Sequence, residues 1–410
     1  MDVINKYLST INVVLLIIGY QLTLVLYSDT INAIGDTQAV TIPFRITTLA
    51  LSLLVIILNY NKKISFSKPL IVFLSFWALL LFRFIWDMLV LPIGTLNESK
   101  QTQLWLYMIG LTIIPMLSVL KSFKTINYRL LFGLLYAISA FICLYLYNTV
   151  DEMQIANADR FSLNGLNSIS VGYCGMQLCI LSLYVFIISK TRIIYKAIAG
   201  ALFILGFIIL VRAGSRGPLL TLIISVFFIF GSRSKNPSKN LIIFSIAVIA
   251  FYVLSNYLIE YINQLSPVLY RRLNRDEGQL FDRLPLYNQA IEYFLNNPII
   301  GSRFAIYHDG TYSYAHNIIL DSMMQLGTVG LVLIICILSN CVKVIYKMLR
   351  NNLTFTFLSL FLLEHMSELM VSGSIYANPS FSILYVLCVS LMYYHNQKST
   401  IFTTDKTIDK

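Results

Sequence analysis

Long apolar runs recur along the whole chain and constrain its fold more than any other feature. Each approaches the ~20 residues that an α-helix needs to cross the hydrocarbon core of a bilayer. Continuous runs suit helices better than the alternating strands of an outer-membrane barrel, because backbone groups in hydrocarbon must be hydrogen-bonded internally. The twelve runs lie at about 11–27, 44–60, 69–92, 103–120, 127–148, 169–189, 194–211, 218–231, 240–259, 318–346, 353–372 and 379–395. The sequence predicts an all-α polytopic membrane protein with about twelve transmembrane helices, forming one integral membrane domain over residues 1–410.

Composition excludes an ordinary soluble protein. Hydrophobic residues make up 57% of the chain and charged residues 12%, whereas about 25% of a soluble domain is charged. The net charge of +11 would suggest a nucleic-acid partner on a soluble domain. Here the basic residues follow the loops between apolar runs, so no nucleic-acid partner is expected.

The basic residues also predict the orientation. Each even-numbered connection carries three of them, and cytoplasmic loops are enriched in Lys and Arg. Both termini are therefore predicted to be cytoplasmic. Counting Lys6, this inner face has 15 Lys and 4 Arg, whereas nine of the ten basic residues on the outer face are Arg. Guanidinium groups make bidentate contacts with phosphate, so the bias suggests a phosphorylated anion outside; chance or lipid-headgroup contact is the alternative.

Residues 260–317 form one long polar and aromatic loop between the ninth and tenth predicted spans. Loops of this length are usually functional or disordered. The apolar spacing of Leu286–Leu295, followed by Asn297-Pro298 and Gly301, predicts one or two packed helices here.

Three constellations on the outer side have residues suited to chemistry. Arg212 and Arg216 flank a Gly- and Ser-containing turn that could bind an anion, although an arginine pair at a helix end is an equally ordinary feature. Arg283 leads directly into the amphipathic stretch of the long loop and could be held rigidly. His316, beside Asn317 at the mouth of the tenth span, could accept a proton near neutral pH, although a lone interfacial histidine is more often a polar anchor.

Ionisable residues also occur inside apolar runs. Arg83 and Asp87 have the i,i+4 spacing of a local structural ion pair, which we favour for them. Glu364, His365 and Glu368 lie in the eleventh run, where ionisable groups are costly and usually face the bundle interior. Glu364 and Glu368 are candidates for a substrate cavity or for helix packing.

The sequence has no P-loop and no zinc-binding pattern. Its outer-side motifs instead resemble the O-antigen polymerase and O-antigen ligase family of bacterial surface-polysaccharide enzymes. The resemblance rests on Ser215-Arg216-Gly217 opening a span, on Arg283 before an aromatic helix ending at Asn297-Pro298-Ile-Ile-Gly301, and on His316-Asn317 with nine residues before Gly327. These motifs cover roughly residues 210–335.

The resemblance implies a GT-C-like membrane glycosyltransferase of the bacterial inner membrane, with residues 260–317 in the periplasm. Its donor would be an undecaprenyl-pyrophosphate-linked oligosaccharide, and no cofactor or metal is expected. Arg216 and Arg283, with Arg212 as a third candidate, would bind the pyrophosphate. His316 would activate the acceptor hydroxyl, and Asn317 would line the substrate cavity. Membrane lipid, a chain-length regulator and a flippase are the further partners that the resemblance makes plausible.

Three activities are compatible with these residues. We favour an O-antigen polymerase because the Ile-, Asn-, Lys- and Tyr-rich composition resembles the divergent enzymes of polysaccharide gene clusters. An O-antigen ligase, which transfers the finished polymer to lipid A–core, is the first alternative. A transporter or flippase for lipid-linked oligosaccharide is the alternative from another class, with Arg83, Glu364 and Glu368 as coupling groups.

Overall fold

The computed structural model describes residues 2–90, 104–153, 163, 165–188, 192–233, 278–308, 311–351 and 353–408. Almost all of these residues are helical, and the one sheet among them is a hairpin of two short antiparallel strands. The elements are α1 (Asp2–Leu26), α2 (Ser28–Ile34), α3 (Gln38–Leu58), α4 (Lys68–Val90), α5 (Leu106–Ser122), α6 (Tyr128–Met153), α7 (Ser168–Ile187), α8 (Ile193–Arg212), α9 (Arg216–Arg233), α10 (Gly278–Asn296), β1 (Ile306–His308), β2 (Thr311–Ser313), α11 (Ile318–Asn351), α12 (Phe357–Val371) and α13 (Pro379–Ile408).

Eight of these helices, α1, α3, α4, α6, α7, α8, α9 and α11, are long and apolar enough to cross a membrane. Helices α5, α12 and α13 coincide with three further predicted runs. Large apolar side chains such as Leu89 and Ile193 lie exposed on the outside of the bundle, as expected for a surface that faces lipid. The prediction of a polytopic helical membrane protein is confirmed; the predicted span at 240–259 lies outside the described residues.

The centre of the bundle is aromatic and fully buried. Phe73 and Trp77 of α4 and Phe381 and Tyr385 of α13 each expose 2% or less of their surface. The rings of Phe73 and Tyr385 lie 4.4 Å apart, within the range of favourable aromatic pairs. This packing ties the first half of the chain to the last helix.

Helix α10 lies within the long loop, and it forms the helix that the spacing of Leu286–Leu295 predicts. It ends at Asn296, immediately before Asn297-Pro298. Leu286 and Ala290 are buried against Ile306, Ala315 and Met324. This helix is therefore packed onto the amino-terminal end of α11.

Helix α11 is broken at Gly327, whose φ of 65° and ψ of −148° are not helical. The segment after α10 docks into the break: the Thr328 amide donates to the Pro298 carbonyl at 2.8 Å, and the Ser302 amide donates to the Met324 carbonyl at 2.9 Å. A Cβ at Gly327 would lie 2.4 Å from the Ile299 carbonyl oxygen. Only glycine fits such a close approach. The Gly327 motif of α11 and the Asn297-Pro298 motif after α10 are therefore in direct contact.

Arg83 of α4 fixes this junction from inside the bundle. Its guanidinium donates to the carbonyls of Gln325, Ile300 and Gly301 at 2.9, 2.6 and 2.7 Å. Its distance to Asp87 is 3.4 Å, and that carboxylate accepts from the backbone amide of Phe304 at 2.6 Å. The predicted local ion pair is confirmed, and Arg83 additionally donates to one carbonyl of the broken helix and to two carbonyls of the docked segment.

Candidate functional site

Three residues that the sequence singles out meet at the carboxyl-terminal end of α12. Asn317 donates to the Met370 carbonyl at 3.1 Å, Arg283 donates to the Val371 carbonyl, and His316 Nδ1 contacts the Ser372 carbonyl at 3.1 Å. The last carbonyls of a helix have no partner within the helix and carry partial negative charge. Three consecutive carbonyls therefore hold together groups from two distant parts of the chain.

His316 is held in a defined orientation. Its backbone is left-handed, with φ of 55°, a conformation that is uncommon outside glycine. A carbonyl oxygen accepts only, so Nδ1 must carry the proton that it donates to Ser372. Nε2 is then the unprotonated nitrogen. The ring centroid also lies 4.3 Å from that of Tyr314, which limits the rotation of the imidazole.

The surroundings of His316 favour the neutral imidazole. Burial lowers its pKa below the ordinary 6.5, and the positive charge of Arg283 lowers it further, while the hydrogen bond to Ser372 acts in the opposite direction. A neutral histidine whose Nε2 is unprotonated is able to accept a proton at neutral pH.

Asn317 begins the amino-terminal half of α11. Its side-chain oxygen accepts from the amides of Ile319 at 3.0 Å and Leu320 at 3.2 Å, the pattern of a helix N-cap. The neighbouring Ala315 amide donates to the buried Asp321 carboxylate at 2.7 Å. Both contacts hold the histidine loop against the half-helix that follows it.

The turn between α8 and α9 places the other two arginines differently. Arg212 lies over the ring of Tyr147, 5.3 Å from its centroid, whereas Arg216 is exposed at the first residue of α9. A Cβ at the next residue, Gly217, would lie 4.0 Å from the Val371 side chain. The amino-terminal end of α9, which favours anions, is therefore close to the helix end that holds Arg283.

The two glutamates of α12 have different surroundings. Glu364 is buried and accepts a hydrogen bond from Gln177 of α7 at 2.7 Å. Glu368 accepts from Asn378 at 2.7 Å and contacts His365 Nδ1 at 3.1 Å, and 29% of its side chain is exposed.

Glu368 lines a cavity of about 620 Å³, within the ~300–1,000 Å³ of typical ligand sites. Tyr314, the ring that contacts His316, lies in its wall. Glu364, Asn317, His316 and the three candidate arginines are not among the lining residues. The cavity therefore lies beside the histidine cluster.

Several residues of this region were not singled out from the sequence. The carbonyls at 370–372 have no sequence signature, because any residue supplies one. Asp321 had a signal, since a carboxylate inside an apolar run is a functional or structural candidate.

The fold and the cluster together define a polytopic helical membrane protein with a histidine and arginines gathered at the amino-terminal ends of α9 and α11 and the carboxyl-terminal end of α12. Residues 201–335 match the family model described as O-antigen ligase. The chain is thus similar to this family over a third of its length, and the resemblance stated from the motifs is confirmed. The match supports the class that O-antigen ligases and polymerases share. No curated protein matches the chain.

Proposed function

We propose that the protein is an O-antigen polymerase, a membrane glycosyltransferase that joins undecaprenyl-pyrophosphate-linked repeat units. The proposal rests on the convergence of His316, Asn317 and Arg283 on three consecutive carbonyls at the end of α12. The site would face the periplasm in the bacterial inner membrane, with both termini in the cytoplasm.

In the proposed reaction an acceptor hydroxyl attacks the anomeric carbon of the donor glycan. The new glycosidic C–O bond forms as the bond from that carbon to the pyrophosphate oxygen breaks, and undecaprenyl pyrophosphate leaves. His316 Nε2 takes the hydroxyl proton as general base. Arg283 and Arg216 bind the pyrophosphate and stabilise the negative charge that develops on it.

Arg212 has a lesser role in this proposal. Its guanidinium already contacts Tyr147, so we assign it to shaping the turn before α9. Asn317 positions His316 by starting the half-helix beside it. With two arginines to neutralise the leaving group, the proposed mechanism includes no metal ion and no cofactor.

A second candidate is the O-antigen ligase, and the description of the matching family favours it. The ligase would use the same donor and the same residues, with the lipid A–core as acceptor. The two candidates differ in the acceptor and in the products that accumulate in a null strain.

The first test is a surface-polysaccharide gel of a deletion strain complemented with the wild-type gene. Lipid A–core bearing a single repeat unit in the null strain would support the polymerase. Bare core with lipid-linked polymer accumulating would support the ligase. An unchanged ladder in the null strain would refute both.

The site is tested in the same strain with His316→Ala, Arg283→Ala and Arg216→Ala. Arg350→Ala is the matched control, because Arg350 donates to Tyr346 on α11, away from the cluster. The proposal expects loss of the ladder in the first three variants, normal membrane levels in all four, and a wild-type ladder in the control. A normal ladder from His316→Ala would refute its role as the base.

A further inference from the structure

The cavity beside the histidine cluster is built mainly from parts of the chain outside the family-matched region. Helices α1, α3 and α5 contribute Gln21, Arg45 and Tyr107, and the segment before α7 contributes Asn167. The C-terminal segment contributes the remaining polar wall, including Glu368 and Asn378. The two halves of the protein meet at this cavity.

The wall has the chemistry that carbohydrates require. Five of the lining residues are aromatic, Tyr20, Phe44, Tyr107, Tyr314 and Tyr376, and more than half carry a polar side-chain atom. A sugar ring has apolar C–H faces, which pack on aromatic rings, and a rim of hydroxyl groups, which need donors and acceptors. A lipid chain would leave most of these polar groups unpaired, which is costly.

The polar groups of the wall are held in place before any ligand binds. Arg45 donates to the Tyr107 hydroxyl at 2.7 Å and lies 4.8 Å from that ring. Among the described residues, both hydrogen bonds to the Glu368 carboxylate are to Oε2, so Oε1 is available to accept from a ligand hydroxyl. Fixed groups of this kind reduce the entropy lost on binding.

The cavity is also next to the base. Tyr314 separates it from His316, with ring centroids 4.3 Å apart. Arg283 lies close enough to influence the pKa of both the Tyr314 hydroxyl and His316. A glycan in the cavity would therefore end beside the histidine, while the arginines occupy the outer helix ends.

We propose that this cavity binds the terminal sugars of the acceptor glycan, and that Gln21, Arg45, Tyr107, Glu368 and Asn378 select which sugars are accepted. The inference rests on the proposed function, because it places the acceptor opposite the pyrophosphate-binding arginines. It assigns glycan specificity to the first half of the chain, outside residues 201–335.

The test measures the binding of two probes to the full-length protein in lipid nanodiscs. One probe is the repeat-unit oligosaccharide released by mild acid from the O antigen of the strain that carries the gene, free of lipid and phosphate. The other is undecaprenyl pyrophosphate without a glycan. The variants are Tyr107→Phe, Glu368→Gln and Arg216→Ala.

Two matched controls are available. Tyr346→Phe removes the same kind of arginine–tyrosine hydrogen bond on α11, where Arg350 donates at 2.9 Å. Glu292→Gln changes an exposed carboxylate on α10. Every variant must unfold at the wild-type temperature, and Gln21→Leu replaces Tyr107→Phe if the latter unfolds early.

We expect Tyr107→Phe and Glu368→Gln each to weaken oligosaccharide binding at least tenfold, with undecaprenyl pyrophosphate binding unchanged. Arg216→Ala should do the reverse, and both controls should match the wild type. Suppose that undecaprenyl pyrophosphate binds the wild type. If the oligosaccharide then does not bind, or binds equally well to the cavity variants, the inference is overturned. Equal weakening of the lipid probe by the cavity variants would overturn it in favour of a lipid site. Failure of undecaprenyl pyrophosphate to bind the wild type would instead refute the proposed function.

Discussion

Replacing Arg83 tests how the broken helix α11 is held. The guanidinium donates to three backbone carbonyls and contacts Asp87 at 3.4 Å, and it is 9% exposed. In Arg83→Met these three carbonyls lose their donor, and a buried acceptor left unsatisfied costs about 1–3 kcal/mol. The apolar side chain of Arg83→Met recovers part of this loss, so we expect the free energy of unfolding to fall by about 4 kcal/mol.

Asp87→Asn is the matched comparison. The amide oxygen still accepts from the Phe304 backbone amide, and the ion pair that is lost is long. We expect a loss of only about 1 kcal/mol, the value of one ordinary hydrogen bond. The large difference between the two variants follows from the carbonyl contacts of Arg83, which a simple i,i+4 pair does not have.

Buried cysteines provide the assay. Five of the six cysteines are buried and Cys336 is exposed, so a Cys336→Ser background leaves only thiols that react after unfolding. Labelling by a thiol-reactive fluorophore is followed across mixed micelles of dodecyl maltoside and dodecyl sulfate. If Arg83→Met costs no more than Asp87→Asn, the carbonyl contacts do not stabilise the junction and the reasoning is refuted.

Three further predictions concern the same region. In the same assay, Gly327→Ala should lower the free energy of unfolding by more than about 2 kcal/mol, because Gly327 has a positive φ and contacts the docked segment. Gly200→Ala is the control: it has open space around it and should stabilise α8 by about 0.5–1 kcal/mol. Arg283→Met should raise the pKa of His316, since a neighbouring positive charge is removed; ¹³C-histidine NMR would then find the ring protonating at higher pH, and an unchanged titration would contradict the contact. Asn317→Asp should keep the N-cap and lose the donor to α12, so it should be more stable than Asn317→Ala by about 1 kcal/mol, and equal stability would argue against capping.

The arrangement also bears on the transport alternative. Arg83 is fully engaged in holding the α11 junction, and Glu364 is hydrogen-bonded to Gln177. These partners account for Arg83 and for one oxygen of the Glu364 carboxylate, and they favour structural roles over ion coupling. A transporter would instead need these charges free to change partners during the cycle.

Much of the site was predictable because its signals are local. His316 and Asn317 stand out as polar groups at the start of an apolar run, Arg283 stands out as a basic residue before an amphipathic stretch, and Gly301 and Gly327 stand out as glycines near them. The pairing of Arg83 with Asp87 follows from helical periodicity alone. The three carbonyls that contact the site residues could not be predicted in this way, because backbone groups carry no residue-specific signal.

The apolar runs alone predict a helical membrane protein, because burial in hydrocarbon requires apolar runs of helical length. They also place Arg216 and His316 beside the starts of two spans. The packing of the helices, in contrast, shows that the end of α12 contacts His316, Asn317 and Arg283 and that the segment of Gly301 packs against α11 near Gly327. The cavity beside His316 likewise depends on side chains from both halves of the chain, and such contacts between distant segments depend on how the helices pack, which no local pattern records.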